Sequence, residues 1–264
     1  MDLELEGKRA VVSGSTAGIG YAIAAALARE GAAVVVNGRT AARVDQAVKR
    51  LRADHAGATV EGVACDLGKR AGADRIFEAV ADADILVNNL GIFEPKSFAE
   101  IPDEDWMRFF EVNVVSGVRL SRHYLPGMLA RKWGRIVFIS SESAVQIPAE
   151  MIHYGVTKTA QVALARGLAE SVAGTGVTVN SVLPGPTASE GVSTFVAGMS
   201  RTRGVDAATV EREFFQTVRP SSLIRRFATP DEVASMVVYV CSSLASATTG
   251  SALRVDGGVV RAIL

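Results

Sequence analysis

The first forty residues contain the pattern that most restricts the fold: two short apolar runs separated by a glycine-rich turn and a helical repeat. The runs are residues 9–13 (Arg-Ala-Val-Val-Ser) and 33–37 (Ala-Val-Val-Val-Asn). Between them, Ile19, Ile23 and Leu27 recur every four residues, which is the spacing of one helix face. Two strands joined by a helix of this length form a right-handed parallel βαβ unit. The chain therefore begins as an α/β fold.

The alternation of strand-like and helix-like segments continues along the chain. Further strands are predicted at residues 59–64, 84–87, 134–141, 177–183 and 252–255. Further helices are predicted at about 44–51, 71–81, 103–131, 154–172 and 229–244, the last opening on a capping box, Thr-Pro-Asp-Glu. Strands that are apolar on both faces indicate a parallel sheet covered on both sides. We predict a single Rossmann-type domain over residues 1–264: a doubly wound parallel sheet of about seven strands with helices on both faces.

A glycine motif lies where the first predicted strand ends. Residues 14–20 read Gly-Ser-Thr-Ala-Gly-Ile-Gly. Glycines permit positive φ and let the backbone approach a pyrophosphate, and the helix start supplies unpaired N–H groups and the positive end of its dipole. A simple tight turn is the alternative. The position of the motif between a strand and a helix favours a dinucleotide site.

Tyr154 and Lys158 are the candidate acid and cation of the site. Four residues apart on a predicted helix, they share one face. A phenol with a pKa near ~10 needs assistance to exchange protons at neutral pH. An ammonium roughly 4 Å away, at an effective dielectric constant of about 20, contributes about 4 kcal/mol, or about three pKa units. We therefore expect Lys158 to lower the pKa of Tyr154, although such pairs also occur by chance on solvated helices.

Seven short motifs, in order, resemble those of the short-chain dehydrogenase/reductase family. They are Gly14-x-x-x-Gly18-Ile19-Gly20, Asn88-Asn89-Leu90-Gly91, Asn113, Ser141, Tyr154-x-x-x-Lys158, Pro184-Gly185 and Val255-Asp256-Gly257-Gly258. The resemblance covers essentially the whole chain. It implies an enzyme that transfers hydride between a nicotinamide cofactor and a carbonyl/alcohol substrate, such as a ketone or a 3-oxoacyl compound.

The resemblance implies four catalytic residues. Tyr154 is expected to be the general acid/base, Lys158 to lower its pKa and bind the nicotinamide ribose, and Ser141 to orient and polarise the substrate carbonyl. Ser140 competes with Ser141, but neighbouring strand residues face opposite ways and the family spacing favours Ser141. Asn113 is expected to hold a water in a proton relay to the lysine. A purely structural Asn113 is the alternative, because a polar residue on a buried helix needs a partner.

The resemblance also implies which residues bind the cofactor. They are Gly14, Ser15, Thr16, Gly18, Ile19, Gly20, Arg39, Asp66, Leu67, Asn89, Gly91, Tyr154, Lys158, Pro184, Gly185 and Thr187. Among these, Asp66 resembles the acid that hydrogen-bonds the adenine ring. Thr187 resembles the residue that contacts the carboxamide.

The end of the second strand bears on the choice between NADP and NAD. An acid there would accept from the adenosine ribose 2′-hydroxyl, whereas an arginine can bind a 2′-phosphate through a charge-assisted fork. Gly38 stands where NAD-using relatives have aspartate, and Arg39 follows it. NADP is therefore predicted. Ala17 stands where some NADP-dependent relatives have a second basic residue, so NAD stays possible.

The segment from about residue 186 to 228 is the expected substrate-binding insert. Its pattern is irregular, and in the family this insert closes over substrate. Apolar side chains could line a pocket there or simply pack in the core; they are Phe93, Ile147, Met151, Phe195, Met199, Phe214 and Phe215.

Charge and composition exclude several classes of function. Lys+Arg and Asp+Glu both number 28, so no basic surface for nucleic acid or for an acidic membrane is expected. No apolar run reaches membrane-spanning length and the first residues lack a signal pattern, which predicts a cytoplasmic protein. Cys65 and Cys241 are expected to be buried free thiols. The scattered His55, His123 and His153 predict no metal site, and His153 is expected to be an exposed or hydrogen-bonded histidine.

The resemblance further implies a homotetramer or a homodimer. The apolar residues Val259, Val260, Ile263 and Leu264 would suit an interface. Two alternative functions remain: an NAD-dependent alcohol dehydrogenase of the same family, and a non-catalytic dinucleotide-binding sensor. Sensors of this kind usually lack the tyrosine or the lysine, and both are present here.

Overall fold

A parallel sheet forms the centre of the structure, a computed structural model that describes residues 2–263 apart from the side chain of Phe195. Its strands are β1 (Arg9–Val12), β2 (Ala33–Gly38), β3 (Val60–Ala64), β4 (Ile85–Asn88), β5 (Gly134–Ile139), β6 (Val177–Pro184) and β7 (Ala252–Val255). They pair in the order β3-β2-β1-β4-β5-β6-β7, and each neighbouring pair is parallel.

Helices cover both faces of this sheet. They are α1 (Gly18–Arg29), α2 (Ala41–Asp54), α3 (Arg70–Ala79), α4 (Asp103–Phe110), α5 (Ser116–Arg131), α6 (Ile152–Ser171), α7 (Glu190–Arg203), α8 (Ala207–Thr217) and α9 (Pro230–Cys241). Residues of α1, α2 and α9 join one buried apolar cluster, and residues of α3, α5 and α6 join the other. The doubly wound parallel sheet predicted from the sequence is confirmed.

The chain reverses its direction of travel across the sheet beside β1. This strand pairs with β2 on one side and β4 on the other, so Val11 stands opposite both Val35 and Leu86. Ligands of open α/β sheets bind at such a switch point, beyond the carboxyl ends of the strands. The glycine turn after β1, Asn89 after β4 and the serines after β5 all lie at this edge.

The predicted helix over 103–131 is divided in the structure. A π-helical turn, Glu111–Val115, separates α4 from α5 and contains the buried Asn113. Such turns widen a helix by one residue and are frequent at functional sites. The capping box at the start of α9 forms as predicted, since Thr229 and Glu232 bond to each other's backbone N–H. That helix ends at Cys241, three residues before the predicted end.

The segment predicted as the substrate-binding insert holds α7 and α8 and is closed at its base. Thr187 and Ala228 form a parallel bridge, Ala188 N donates to Ala228 O, and Ala228 N donates to Pro186 O. Phe214 and Phe215 pack against Phe227 within the segment, with ring centroids 5.1 Å from it. They therefore form the core of the insert. The side chain of Phe195 lies outside the described part of the chain.

The carboxyl end differs from the interface predicted there. Val259 and Val260 are buried inside the chain itself, because the Asp256 carboxylate accepts from Val260 N and folds this end back. Ile263 is 94% exposed, and Leu264 is outside the described residues.

Cys65 and Cys241 are buried free thiols, as predicted. Burial raises the pKa of Cys65 to about 11 and that of Cys241 to about 12. Over residues 2–263, no helix is long and apolar enough to cross a membrane. The same part of the chain contains no cluster of three potential metal ligands.

Candidate active site

The glycine motif forms a tight turn under an uncapped helix start. Gly14 and Gly18 have φ of 61° and 56°, a region that favours glycine. A Cβ added at Gly20 would lie 2.4 Å from Asn89 Nδ2, so only glycine allows α1 to start this close to β4. No side chain caps α1, which leaves the first backbone N–H groups, those of Gly18 and Ile19 among them, to an outside acceptor. The turn is shaped to receive an anion such as a pyrophosphate.

Ser15 lies beneath this turn. It is completely buried, its hydroxyl donates to Val12 O at 2.7 Å, and its N–H donates to Asn37 O at 2.8 Å. The N–H bond joins the turn to β2, and the hydroxyl bond ties the turn back to the end of β1. This burial gives Ser15 a structural part and offers no support for its predicted contact with cofactor.

The end of β2 is shaped by Thr16 and Gly38. A Cβ at Gly38 would lie 2.5 Å from the Thr16 methyl carbon, so Thr16 fills the space where an acidic side chain would begin. Arg39, next along the chain, is exposed and has no ion-pair partner among residues 2–263. Its guanidinium is available to an anionic group at this corner of the site.

Two predicted cofactor residues follow β3. Asp66 is partly exposed and accepts from Gly68 N at 3.1 Å, which turns the chain away from the sheet edge. Leu67 is buried in the apolar cluster beside α3, so its side chain belongs to the core.

Asn89 and Gly91 extend the site along the end of β4. Asn89 Nδ2 donates to Ser13 O and Gly14 O at 3.0 and 2.9 Å, which fastens the glycine turn to β4. A Cβ at Gly91 would lie 3.3 Å from Lys158 Nζ. Gly91 therefore leaves the space into which the lysine side chain reaches.

The structure brings Ser141 to the Tyr154 phenol. Ser141 lies close enough to the phenol to lower its pKa, and the ring of Phe93 stands edge-on to the Tyr154 ring with centroids 6.3 Å apart. Ser140 turns the other way and donates to Lys158 O at 2.8 Å. The two serine side chains therefore face different partners, as strand alternation predicts.

The electrostatics of Tyr154 differ from the prediction. Burial raises the pKa of the Tyr154 phenol, the contact with Ser141 opposes the rise, and the Glu142 carboxylate adds to it. Lys158 Nζ lies 5.6 Å from the centre of the Tyr154 ring, where its acceptors are Ile139 O at 2.9 Å and Gln161 Oε1 at 3.0 Å. The expected lowering of the Tyr154 pKa by Lys158 is therefore wrong, because the lysine turns to other acceptors and desolvation of the phenol dominates.

Lys158 is itself strongly perturbed. Its side chain is buried, and burial lowers the pKa of its ammonium from 10.5 to about 7. A buried cation loses the hydration that stabilises its charge, and two acceptors compensate only in part. The lysine therefore exchanges protons near neutral pH.

Gln161 joins Asn113 to Lys158, and sequence reasoning missed it. Its amide donates to Asn113 O at 2.5 Å while its oxygen accepts from Lys158. The Asn113 side chain bonds to Ile92 N, Ile92 O and the Thr157 hydroxyl. Asn113 thus holds the segment after β4 in place. The signal for Gln161 was its spacing of three residues from Lys158, which places both on one face of α6.

A buried ion pair beside Ser141 was also missed. Glu142 accepts from the Ser141 hydroxyl at 2.5 Å and from Arg219 Nε at 3.1 Å. Arg219 lies in the insert, 77 residues further along the chain, and its Nη1 is 3.3 Å from Glu150 Oε1. The sequence separation explains why no local pattern revealed the pair.

The end of β6 brings the last predicted residues to the edge. A Cβ at Gly185 would lie 2.5 Å from Asp256 O, so Pro184-Gly185 lets the segment after β7 pass close by. Thr187 is buried, and its hydroxyl donates to Gly185 O at 2.9 Å. The Thr187 hydroxyl is therefore bonded to the backbone of the turn in which it lies.

His153 corrects another expectation. It is completely buried beside Phe109, at a centroid distance of 4.0 Å, and neither ring nitrogen has a partner among the described residues. Burial lowers the pKa of His153. The apolar surroundings supplied by α4 explain why this histidine is neither exposed nor hydrogen-bonded.

Comparison with known proteins agrees with this geometry. A family model described as enoyl-(acyl carrier protein) reductase matches residues 14–260. The uncharacterized oxidoreductase YvaG of Bacillus subtilis is 49% identical over 100% of both chains. The 3-oxoacyl-[acyl-carrier-protein] reductase FabG of Aquifex aeolicus is 33% identical over 98% of this chain and 100% of its own.

Among solved structures, L-sorbose reductase from Gluconobacter frateurii, complexed with NADPH and L-sorbose, has a TM-score of 0.95. It is 35% identical, and the match covers 100% of both chains. The parallel sheet, the serine–tyrosine–lysine geometry and these likenesses lead to one conclusion: the chain belongs to the short-chain dehydrogenase/reductase family of oxidoreductases.

Proposed function

We propose that the protein is an NADP(H)-dependent carbonyl/alcohol oxidoreductase whose general acid/base is Tyr154. The observation that carries this proposal is the convergence of Ser141, Tyr154 and Lys158 at the switch-point edge, next to a glycine turn with unspent N–H groups. The substrate class is a ketone or a 3-oxoacyl compound. The bound L-sorbose of the solved relative adds polyhydroxy ketones to the compounds worth testing.

The residues present fit a dinucleotide. Gly20 lets α1 start close against the glycine turn, and Gly91 leaves room for the Lys158 side chain. The uncapped start of α1 can bind a group with negative charge. The glycine turn would hold the pyrophosphate, Arg39 the 2′-phosphate, and Lys158 the nicotinamide ribose. When bound, the cofactor supplies or accepts the hydride.

The chain's own residues supply the proton. With its pKa raised, the Tyr154 phenol stays protonated at neutral pH, which is the state that donates to the oxygen of a carbonyl being reduced. Lys158, with a pKa of about 7, exchanges protons at the working pH and is placed to restore that of the phenol. Ser141 steadies the negative charge that develops on the substrate oxygen. Carbonyl reduction is therefore the direction that we propose.

The proposal is tested with Tyr154→Phe. We expect turnover of NADPH with ketones, 3-oxoacyl thioesters and keto sugars to fall at least about a hundredfold, the lower end of general acid/base contributions. NADPH affinity, followed by fluorescence titration, should stay within twofold. Phe98→Tyr, at an exposed phenylalanine, is the control for altering one phenol on the chain. Full turnover in Tyr154→Phe would refute the assignment of Tyr154 as the acid/base. Unchanged cellular function in a Tyr154→Phe variant would favour the non-catalytic sensor.

The preference for NADP rests on Gly38 and Arg39. Thr16 blocks an acid at position 38, and the exposed Arg39 is free for a 2′-phosphate. Arg39→Gln should reduce the ratio of kcat/KM for NADPH over NADH about tenfold or more, since one charge-assisted fork is lost. Arg29→Gln, at the far end of α1, is the matched control. An unchanged ratio in Arg39→Gln would show that Arg39 does not set the preference, and a parent ratio below one would favour the NAD-dependent alternative.

We further propose that residues 1–264 act as one oxidoreductase domain, with 186–228 as the substrate-binding insert, in a homotetramer or homodimer. Exposed Met107, Tyr239 and Leu244 lie on or next to α4 and α9 and leave apolar surface for such contacts. Sedimentation velocity of the purified chain tests this assembly. A monomer at micromolar concentration would contradict it.

A further inference from the structure

The Ser141 hydroxyl donates its hydrogen bond to the carboxylate of Glu142. The Ser141 hydroxyl donates to Glu142 Oε2 at 2.5 Å, and Ser143 N donates to the same oxygen at 3.0 Å. The other carboxylate oxygen accepts from Arg219 Nε at 3.1 Å. Glu142 is 5% exposed, so its partners are those of the protein interior. A serine has only one proton to give.

We propose that Glu142 and Arg219 are positioning residues for Ser141: Glu142 holds the hydroxyl proton of Ser141, and Arg219 of the insert holds Glu142. This inference rests on the proposed function, because it assigns the state in which the Ser141–Tyr154 pair waits for substrate. It also makes the insert part of that pair's environment, since Arg219 follows α8 and precedes the Thr187–Ala228 base.

The consequence is a Tyr154 phenol that remains a proton donor. The contact with Ser141 opposes the rise in the pKa of Tyr154, but the Ser141 proton, which would stabilise a phenolate, is directed at Glu142. The Glu142 charge raises the pKa of Tyr154, and the Arg219 charge lowers it. The pair thereby favours carbonyl reduction over alcohol oxidation.

The charged groups that face the phenol come from three elements. Lys158 lies on the same helix, Glu142 on the segment after β5, and Arg219 on the insert. Glu150, 47% exposed at its side chain, contacts the far side of Arg219 and not Ser141. It therefore provides a control with the same chemical change at a different contact.

The test uses the full chain saturated with NADP⁺ and follows phenolate formation by ultraviolet difference titration. Each variant is compared with its own Tyr154→Phe counterpart, so that only Tyr154 contributes to the difference. Glu142→Gln should move the ionisation of Tyr154 to lower pH by on the order of one pH unit, and Arg219→Gln should move it to higher pH. Glu150→Gln should leave it unchanged. A merely structural pair would not give opposite shifts.

Either single variant leaves one buried charge without its partner and could fold poorly. The double variant Glu142→Gln/Arg219→Gln removes both charges, and Arg219→Lys keeps the positive charge while losing the fork. If a single variant unfolds, the double variant is measured in its place. Tyr154 should ionise at a lower pH in the double variant than in the parent, because Glu142 shifts the pKa of Tyr154 more than Arg219 does.

The proposal would be overturned if Tyr154 ionised in Glu142→Gln at the same pH as in the parent or at a higher pH. It would also be overturned if neither the parent nor Glu142→Gln showed an ionisation step, or if Glu150→Gln shifted the ionisation as far as Glu142→Gln does. These outcomes do not depend on turnover. Failure of the proposed function appears separately, as full activity in Tyr154→Phe with a normal Glu142→Gln shift.

Discussion

Replacing Lys158 by methionine should abolish turnover and make the stability of the fold, relative to the parent, depend on pH. Burial lowers the pKa of the lysine from 10.5 to about 7. At about 1.4 kcal/mol per pKa unit, this difference corresponds to about 5 kcal/mol of unfolding free energy. The parent bears this full cost below pH 7, where the lysine is charged in both the folded and the unfolded chain.

The pH dependence separates this effect from lost hydrogen bonds. Between pH 7 and 10 the unfolded chain keeps the Lys158 proton and the folded chain releases it, so the parent's stability rises with pH. Lys158→Met also leaves Ile139 O and Gln161 Oε1 without a donor, at about 1–3 kcal/mol each, but that loss is the same at every pH. The stability of Lys158→Met relative to the parent should therefore fall by about 4 kcal/mol from pH 7 to pH 10.

Urea denaturation followed by circular dichroism at several pH values measures this difference directly. The exposed Lys49→Met is the control for removing one lysine charge. If the difference in unfolding free energy between Lys158→Met and the parent stayed constant from pH 7 to 10, Lys158 would remain charged in the folded chain, stabilised by Ile139 O and Gln161 Oε1. The reasoning from burial would then be refuted.

Other changes test other parts of the structure. Gly20→Ala places a Cβ 2.5 Å from a backbone oxygen, so we expect a loss of about 1–3 kcal/mol in stability and weaker NADPH binding by calorimetry; unchanged binding would contradict the close fit. Cys65 and Cys241, whose pKa values burial raises to about 11 and about 12, should react with a thiol reagent at pH 8 only after unfolding; rapid modification of the native chain would argue against their burial. Gln161→Leu removes one acceptor of the Lys158 ammonium and should lower kcat at pH 7 about tenfold, with Gln161→Glu restoring much of it; equal rates in all three proteins would remove Gln161 from the lysine's support.

The fold was readable from the sequence because its signals are local. The runs of β1 and β2 and the four-residue spacing in α1 repeat at each step of the chain, and the sheet follows from that repetition. The π-helical turn at Asn113 was not readable, because it depends on bonds from the Asn113 side chain to Ile92 and Thr157, which lie 21 and 44 residues away.

The site was readable where it coincides with short motifs and hidden where it depends on distant partners. Glu142 stands next to Ser141 in sequence, yet its significance comes from Arg219 in a different element. Likewise, the spacing of Tyr154 and Lys158 predicted that both lie on one helix, as they do in α6. No spacing could show that the Lys158 ammonium donates to Ile139 O and Gln161. Desolvation, which governs both of their pKa values, is a property of the assembled core.

The bridge between Thr187 and Ala228 makes the structure of the insert independent of the strand pairing in the sheet. Because its two ends are tied to each other and then to β6 and α9, a change of length within residues 188–227 would leave every strand pairing of the sheet in place. Under the proposed function, the reacting side chains lie on the sheet edge, and the insert can change its substrate contacts independently of them. A changed insert would still need a cation at the position of Arg219, because Arg219 pairs with the buried Glu142.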